Sequence, residues 1–447
     1  MKNRDLTQGN ISAHLLRLAL PLMLGNILQQ MYNTIASLVV NRYAGGLEYA
    51  ATGVSSSVMN LFLFIVIGAC TGISVLFSQE YGAGDLAAFR RQHFISLVFG
   101  LGATALMSVL SILFLPQLLR AIQTPDELFT YTKVYLTIVL GSLPAAFLYN
   151  LYNALLRSVG STNAALGVLT LSVGLNLVLS LLFVAKLSMG IAGAAWATAI
   201  AQIFSAAACF LYLKKAHPQL IFTKEDCRVD RALLKRTAHF SFVTAMHQSG
   251  LYLGKLVVQG SVNSMGTDLI SAYTTTTRIE GFANSAGDSC SAATSVLVAQ
   301  NLGAKQEARV KETYRKSLGI CAAMGLVCTA VLFVFAPQTT AWLLGESNGV
   351  AFENAVAYLR TVSLFYILCY TGNAFVGYLD GIGKVSLPLI GACSHISMRA
   401  ALSWLWIAEL GLNAVALATG IGWVWCNFFW WVCCMVIARK ARAAVGS

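Results

Sequence analysis

Gln79-Glu80-Tyr81-Gly82-Ala83-Gly84 returns, from position 300, as Gln300-Asn301-Leu302-Gly303-Ala304-Lys305. The same shift of 221 positions carries Pro116-Gln117 onto Pro337-Gln338. Further along, Tyr135-Leu136, Asn150 and Gly160 meet Tyr358-Leu359, Asn373 and Gly383, now shifted by 223. One register with a two-residue slip therefore runs through both halves. A chain written twice builds two copies of one structural unit.

The composition places both copies in lipid. Of 447 residues, 57% are hydrophobic and 11% are charged, against roughly 25% charged in a soluble protein. Uncharged stretches such as Leu18–Asn41, Tyr49–Gln79, Phe94–Leu119, Ser158–Ala185 and Ser317–Gly345 reach the length of about 20 residues that a spanning helix needs. More polar candidates cover about Arg236–Val262, Leu269–Gln300, Phe352–Leu379 and Val385–Ala408. The expected fold is an all-α polytopic membrane protein of twelve transmembrane helices, in two parallel-repeat six-helix bundles. The lobes are residues 1–213 and 236–447, joined by the basic linker 214–235. The first span reads as a retained helix followed at once by a second, not as a cleavable signal peptide.

Lys and Arg set the orientation. Alternate loops from the amino terminus collect Arg17, Arg90, Arg91, Arg157, the Lys214–Arg236 and Lys305–Lys316 runs, Lys384 and Arg439, while the opposite loops hold Arg42, Arg120, Lys133 and Lys186. The basic side, with both termini, is expected in the cytoplasm. This bias accounts for the net charge of +12; it suits anionic lipid headgroups and does not imply nucleic acid.

An even number of spans per copy makes the repeats parallel, related by an axis along the membrane normal, with a working cavity expected between them. Pro21 and Pro144 fall inside spans and can kink them, and Gly68 and Gly72 suit close helix packing. Eleven cysteines lie mostly in apolar stretches without metal-ligand spacing. No hydrolase, P-loop or metal motif is present, so neither enzymatic chemistry nor a cofactor is expected.

Ionisable groups inside spans are costly, about 2.5–3.5 kcal/mol each on insertion scales, and they face a cavity or a partner. The first two spans lack them. Their copies carry His247, Lys255, Arg278, Glu280 and Asp288. Thr276, Glu280, Asn284 and Asp288 follow at four-residue steps, a polar stripe on one helix face. Arg278 points away from Glu280, and Lys255 is in a position to pair with Glu280 or Asp288. Two readings stand: a carboxylate site for a proton or cationic substrate, with Lys255 or His247 competing, or a structural ion-pair network. Arg399 interrupts span 11 and is divided between cavity and interface. The first half is polar but uncharged, through Gln29, Asn33, Asn150, Asn176, Ser180 and Thr198. These either line a wet cavity or bond helices together.

Leu20-Pro21-Leu22-Met23-Leu24-Gly25-Asn26 with Gln29-Gln30-Met31-Tyr32-Asn33-Thr34, then Ser78–Asp85, Arg278-Ile279-Glu280, Gln300–Ala304 and Leu379-Asp380-Gly381-Ile382-Gly383 together resemble the MATE family of multidrug and toxic compound extrusion transporters, in its bacterial branch. The resemblance covers nearly the whole chain. It implies a monomeric antiporter that exports small organic cations in exchange for H+ or Na+. It also implies an amino-terminal cation site whose matching positions are Asn150, Asn176, Ser180 and Thr198. Ala36 and Ser180 stand where that pattern carries carboxylates. Coupling is therefore expected in the carboxy-terminal lobe, with Asp380 in a gating or structural role. The rival expectation is a lipid-linked oligosaccharide flippase of the same superfamily, which the cations Lys255, Arg278 and Arg399 suit.

Overall fold

A computed structural model describes residues 6–445, apart from the side chains of 32–37, 441, 442, 444 and 445. It is helical throughout, with no strand among the described residues. The helices are α1 Ile11–Tyr43, α2 Gly46–Gly82, α3 Leu86–Leu113, α4 Leu115–Ala121, α5 Asp126–Gly141, α6 Leu143–Ser158, α7 Thr162–Ser180 and α8 Gly190–Ala216. They continue as α9 Arg231–Asn263, α10 Thr267–Gly303, α11 Glu307–Leu344, α12 Val350–Ser363, α13 Tyr366–Gly381, α14 Ser386–Leu410 and α15 Leu412–Val445. Helix is the expected outcome for apolar runs in lipid, where each backbone N–H and C=O must be satisfied within its own segment.

Among the described residues, seven helices are individually long and apolar enough to cross a membrane. The pairs α5/α6 and α12/α13, bent by 45° and 52°, raise this to nine. The helices α9, α10 and α14, of 33, 37 and 25 residues, complete the twelve. Their lower hydropathy comes from the polar and charged groups already named. Pro144 lies at the amino-terminal end of α6, where the missing N–H costs no helical bond. It marks the α5/α6 bend; the matching α12/α13 bend forms without a proline.

The repeat is visible in the backbone. Left-handed residues fall at Gly45 and Gly266, Gly84 and Lys305, Gly160 and Gly383, and Gly190 and Gly411. At the second pair φ is 72° for Gly84 and 58° for Lys305. The fold keeps the turn even where the sequence has given up the glycine that makes it easy.

The chain packs as two compact units. One is Leu24–Ala245; the other is Leu6–Met23 with Met246–Ser447. The division falls inside α1 and α9, not in the polar linker. In the first unit α2 packs on α3, α5 and α6, and α8 on α5, α6 and α7. In the second, α10 packs on α11, α12 and α13, and α15 on α12, α13 and α14. Close approach is enforced by small residues: a Cβ on Gly68 or Gly72 of α2 would come within 2.6 Å of the Thr244 or Phe240 carbonyl oxygen of α9. Gly377 and Gly381 of α13 meet the Ser291 and Ser295 carbonyls of α10 in the same way.

The linker folds back on the first unit. Arg90 Nε donates to Asp226 Oδ2 at 2.8 Å, and Thr223 donates to the same oxygen from its backbone N–H and its hydroxyl. Burial alone would raise the Asp226 carboxyl, but the Thr223 N–H, the Arg90 guanidinium and the Thr223 hydroxyl overcome it and hold it below its ordinary value of 3.8.

Candidate functional site

The polar stripe of the second unit lies on α10 and is assembled by its neighbours. Glu280 is 8% exposed. Tyr358 of α12 donates its hydroxyl to Glu280 Oε2 at 3.2 Å. Among the described residues that is the one hydrogen bond to the carboxylate, and Oε1 stays open. The Tyr358 ring stands edge-on to Tyr273 of α10, centroids 6.2 Å apart, and Arg399 Nη2 of α14 donates to the Tyr273 hydroxyl at 3.4 Å. Arg399 Nε and the Tyr366 hydroxyl are buried without a hydrogen-bond partner.

Further along α10, Tyr370 of α13 donates to the Ala283 carbonyl at 2.6 Å, and Cys369 Sγ lies 3.7 Å from Asn284 Oδ1. A Cβ on Gly287 would meet Asn373 Nδ2 at 2.6 Å. Asp288, on the next residue, is uncovered by protein, as are Lys255 and Arg278. Among the described residues the ion pairs are Arg90–Asp226 and Lys316–Glu312. Lys255 therefore pairs with neither Glu280 nor Asp288, and no ion-pair network staples α9 to α10. His247 is buried at 7% exposure on α9. Asp380 is buried at the end of α13 with Oδ1 unpartnered.

The first unit gathers part of its expected set. Ser180 donates to Asn176 Oδ1 at 3.2 Å and Asn176 Nδ2 donates to Thr198 Oγ1 at 3.4 Å, with Tyr135 beside the Thr198 side chain. Asn176 and Ser180 are each 1% exposed. Asn150 stands outside this cluster and donates to the Ala146 carbonyl of its own helix. Gln29 is uncovered. The side chains of Asn33 and Ala36 lie outside the described residues.

Superposing the copies by sequence register explains what reading each half separately misses. The 223 shift takes Tyr135 to Tyr358, Asn176 to Arg399 and Ser180 to Ser403, and the 221 shift takes Thr198 to Thr419. Each unit thus places a tyrosine and the middle of its fifth span at one polar node. In the first copy the node is neutral and closed by hydrogen bonds. In the second it carries Arg399 and faces Glu280. Tyr273, Tyr358 and Tyr366 are members that hydropathy and charge spacing overlook; the repeat of Tyr135 as Tyr358 is the signal that points to one of them.

Among the described residues no group of three or more His, Cys, Asp or Glu could hold a metal ion. The arrangement holds an acidic group inside a membrane protein. Together with the duplicated helical fold, this points to a membrane transporter.

The particular family follows from comparison. The MatE family model matches residues 21–182 and again 244–405, two copies displaced by 223 positions, the shift of the later motifs of the sequence repeat. The chain belongs to the MATE family. It is 27% identical over 431 residues to "Probable multidrug resistance protein YpnP" of Bacillus subtilis, covering 95% of each chain. It is 22% identical over 389 residues to the multidrug export protein MepA of Staphylococcus haemolyticus, covering 84% of this chain and 83% of that one. A crystal structure of MATE in the bent conformation shares its fold at TM-score 0.91 and 22% identity, covering 99% of each chain. A transporter from Pyrococcus furiosus, described by a reversed polarity of its binding pocket, does so at TM-score 0.88.

Proposed function

We propose that this membrane protein exports small organic cations in exchange for H+ or Na+, and that its coupling carboxylates are Glu280 and Asp288 in the second unit. The observation that carries this reading is Glu280 itself. It is buried, held on one oxygen by Tyr358 and, among the described residues, in no ion pair. Charge buried in a membrane protein persists only where something binds or balances it. A proton, a sodium ion or a cationic substrate each supplies that balance, and because they use one carboxylate they exclude one another. Mutual exclusion at a shared site is what an antiporter requires: the inward gradient of one occupant drives the other outward.

Asp288 extends the site two turns along α10, where it is open to an approaching cation. Asn284 between them offers a neutral oxygen. The neutral node of the first unit, Asn176, Ser180 and Thr198, serves in this reading as a hydrogen-bonding surface for substrate and cannot itself release a proton. Asp380 acts at the end of α13. Both termini and the linker lie in the cytoplasm, and the protein works as a monomer. YpnP and MepA are called multidrug resistance and multidrug export proteins, which supports drug export over lipid-linked oligosaccharide flipping.

The test is uptake of a panel of cationic dyes into inverted vesicles under separately imposed proton and sodium gradients. Accumulation under one gradient, abolished by its collapse, is the expected result. Dye movement indifferent to both gradients refutes the antiport.

A further inference from the structure

Arg399 has no obvious reason to be charged. At the repeat-equivalent position the first unit has Asn176, which completes the same junction with Ser180 and Thr198 by neutral hydrogen bonds. The fold therefore does not need a guanidinium there. A guanidinium presents five N–H donors, yet the hydrogen bond given to this one is Nη2 to Tyr273, and Nε is buried with no acceptor. Leaving such a donor unpaired costs stability. The nearest acid in its surroundings is Glu280, one tyrosine pair away, and no ion pair joins them.

We infer that Arg399 is a tethered cation that competes for Glu280: it exchanges between Tyr273, where the structure places it, and the carboxylate, which a substrate or coupling ion must then take from it. The inference rests on the reading that Glu280 binds cations. The geometry supplies both ends of the exchange. Tyr273, through its hydroxyl, parks the guanidinium away from the acid. Tyr358, edge-on to Tyr273, keeps the acid fixed on Oε2 and leaves Oε1 as the exchangeable contact. The other charged or titratable groups around Glu280 are Lys255 of α9, which is uncovered and in no ion pair with it, and Tyr366 of α13, whose hydroxyl is unpartnered. Arg399 is thus the buried cation of this cluster. A reserve cation prevents an empty carboxylate from trapping the transporter between loaded states, and it sets a threshold that a substrate must exceed to bind.

The test is equilibrium binding of ethidium, a monovalent cationic dye, to the purified full chain by fluorescence. Four proteins are compared: wild type, Glu280→Gln, Arg399→Gln and the double variant. Loss of one attractive charge in Glu280→Gln weakens binding about tenfold, and loss of the competitor in Arg399→Gln tightens it about threefold or more. In the double variant the gain from Arg399→Gln disappears, because nothing remains to compete for. If Glu280→Gln leaves binding unchanged, the underlying site assignment fails. If Glu280→Gln weakens binding but Arg399→Gln leaves it unchanged or weakens it, the site stands and the tethered-cation inference is overturned. Should Arg399→Gln fail to fold, Tyr273→Phe carries the test: freeing Arg399 to reach Glu280 weakens dye binding about threefold, an effect absent in the Glu280→Gln background. Unchanged binding in Tyr273→Phe overturns the inference.

Discussion

Tyr358 on α12 donates to Glu280 on α10 across 3.2 Å, joining residues 78 positions apart inside the second unit. This contact fixes one carboxylate oxygen and directs the other. Tyr358→Phe removes the donor and keeps the ring that meets Tyr273. The expected outcome is a Glu280 that is less well oriented, with cationic dye affinity or export rate reduced about ten- to a hundredfold, the range of one hydrogen bond to a charged group. Melting temperature of the purified protein should change little, because the ring packing survives. Export at the wild-type rate would mean the tyrosine is a bystander.

Gly72 of α2 lies against the Phe240 carbonyl of α9 closely enough that a Cβ would sit 2.6 Å from the oxygen. Gly72→Val therefore has to push the two helices apart inside the first unit. A loss on the order of 1–3 kcal/mol is expected from overpacking, read as a lower melting temperature in detergent. The same substitution at Gly102, where a Cβ meets nothing within 4 Å, serves as the control and should melt near wild type.

Asp226 ties the linker to α3 through Arg90 and Thr223. Its carboxyl is held below the ordinary 3.8 in the folded protein, so its contribution to stability is full above that value and is lost as pH falls through the lower folded value. Asp226→Asn should melt below wild type at pH 7. The gap should persist at pH 5 and close only below about pH 3.8, as measured by thermal unfolding across that pH series. A gap that closes between pH 7 and pH 5 contradicts this assignment.

Much of this fold is legible because lipid and duplication both write themselves into sequence. Uncharged runs mark helices, and Gly84 and Lys305 mark the same turn even though only one is glycine. The polar helices α9 and α10 were harder, yet the repeat required them, since their copies α1 and α2 are apolar. The carboxylates could be found because charge in such segments is rare. Their partners could not. Lys255 is the nearest cation by helix spacing, but it forms an ion pair with neither acid and remains uncovered. The contact Glu280 actually makes comes from Tyr358, on a helix that no local pattern connects to it. Pairing across helices depends on rotation about each helix axis and on bends such as that between α12 and α13, neither of which hydropathy records. The boundary between packing units, inside α9 at Ala245 and Met246, is hidden for the same reason: it is a property of contacts within one continuous helix.

The central claim is that the acids of α10 couple the ion gradient to export. Its most direct test is dye export by the full-length protein in proteoliposomes with an imposed proton or sodium gradient, comparing wild type with the Glu280→Gln, Asp288→Asn double variant at matched reconstitution. Gradient-driven export should fall at least about tenfold in the double variant, the loss of one charge-dependent binding step. Export that continues at the wild-type rate would place the coupling site elsewhere.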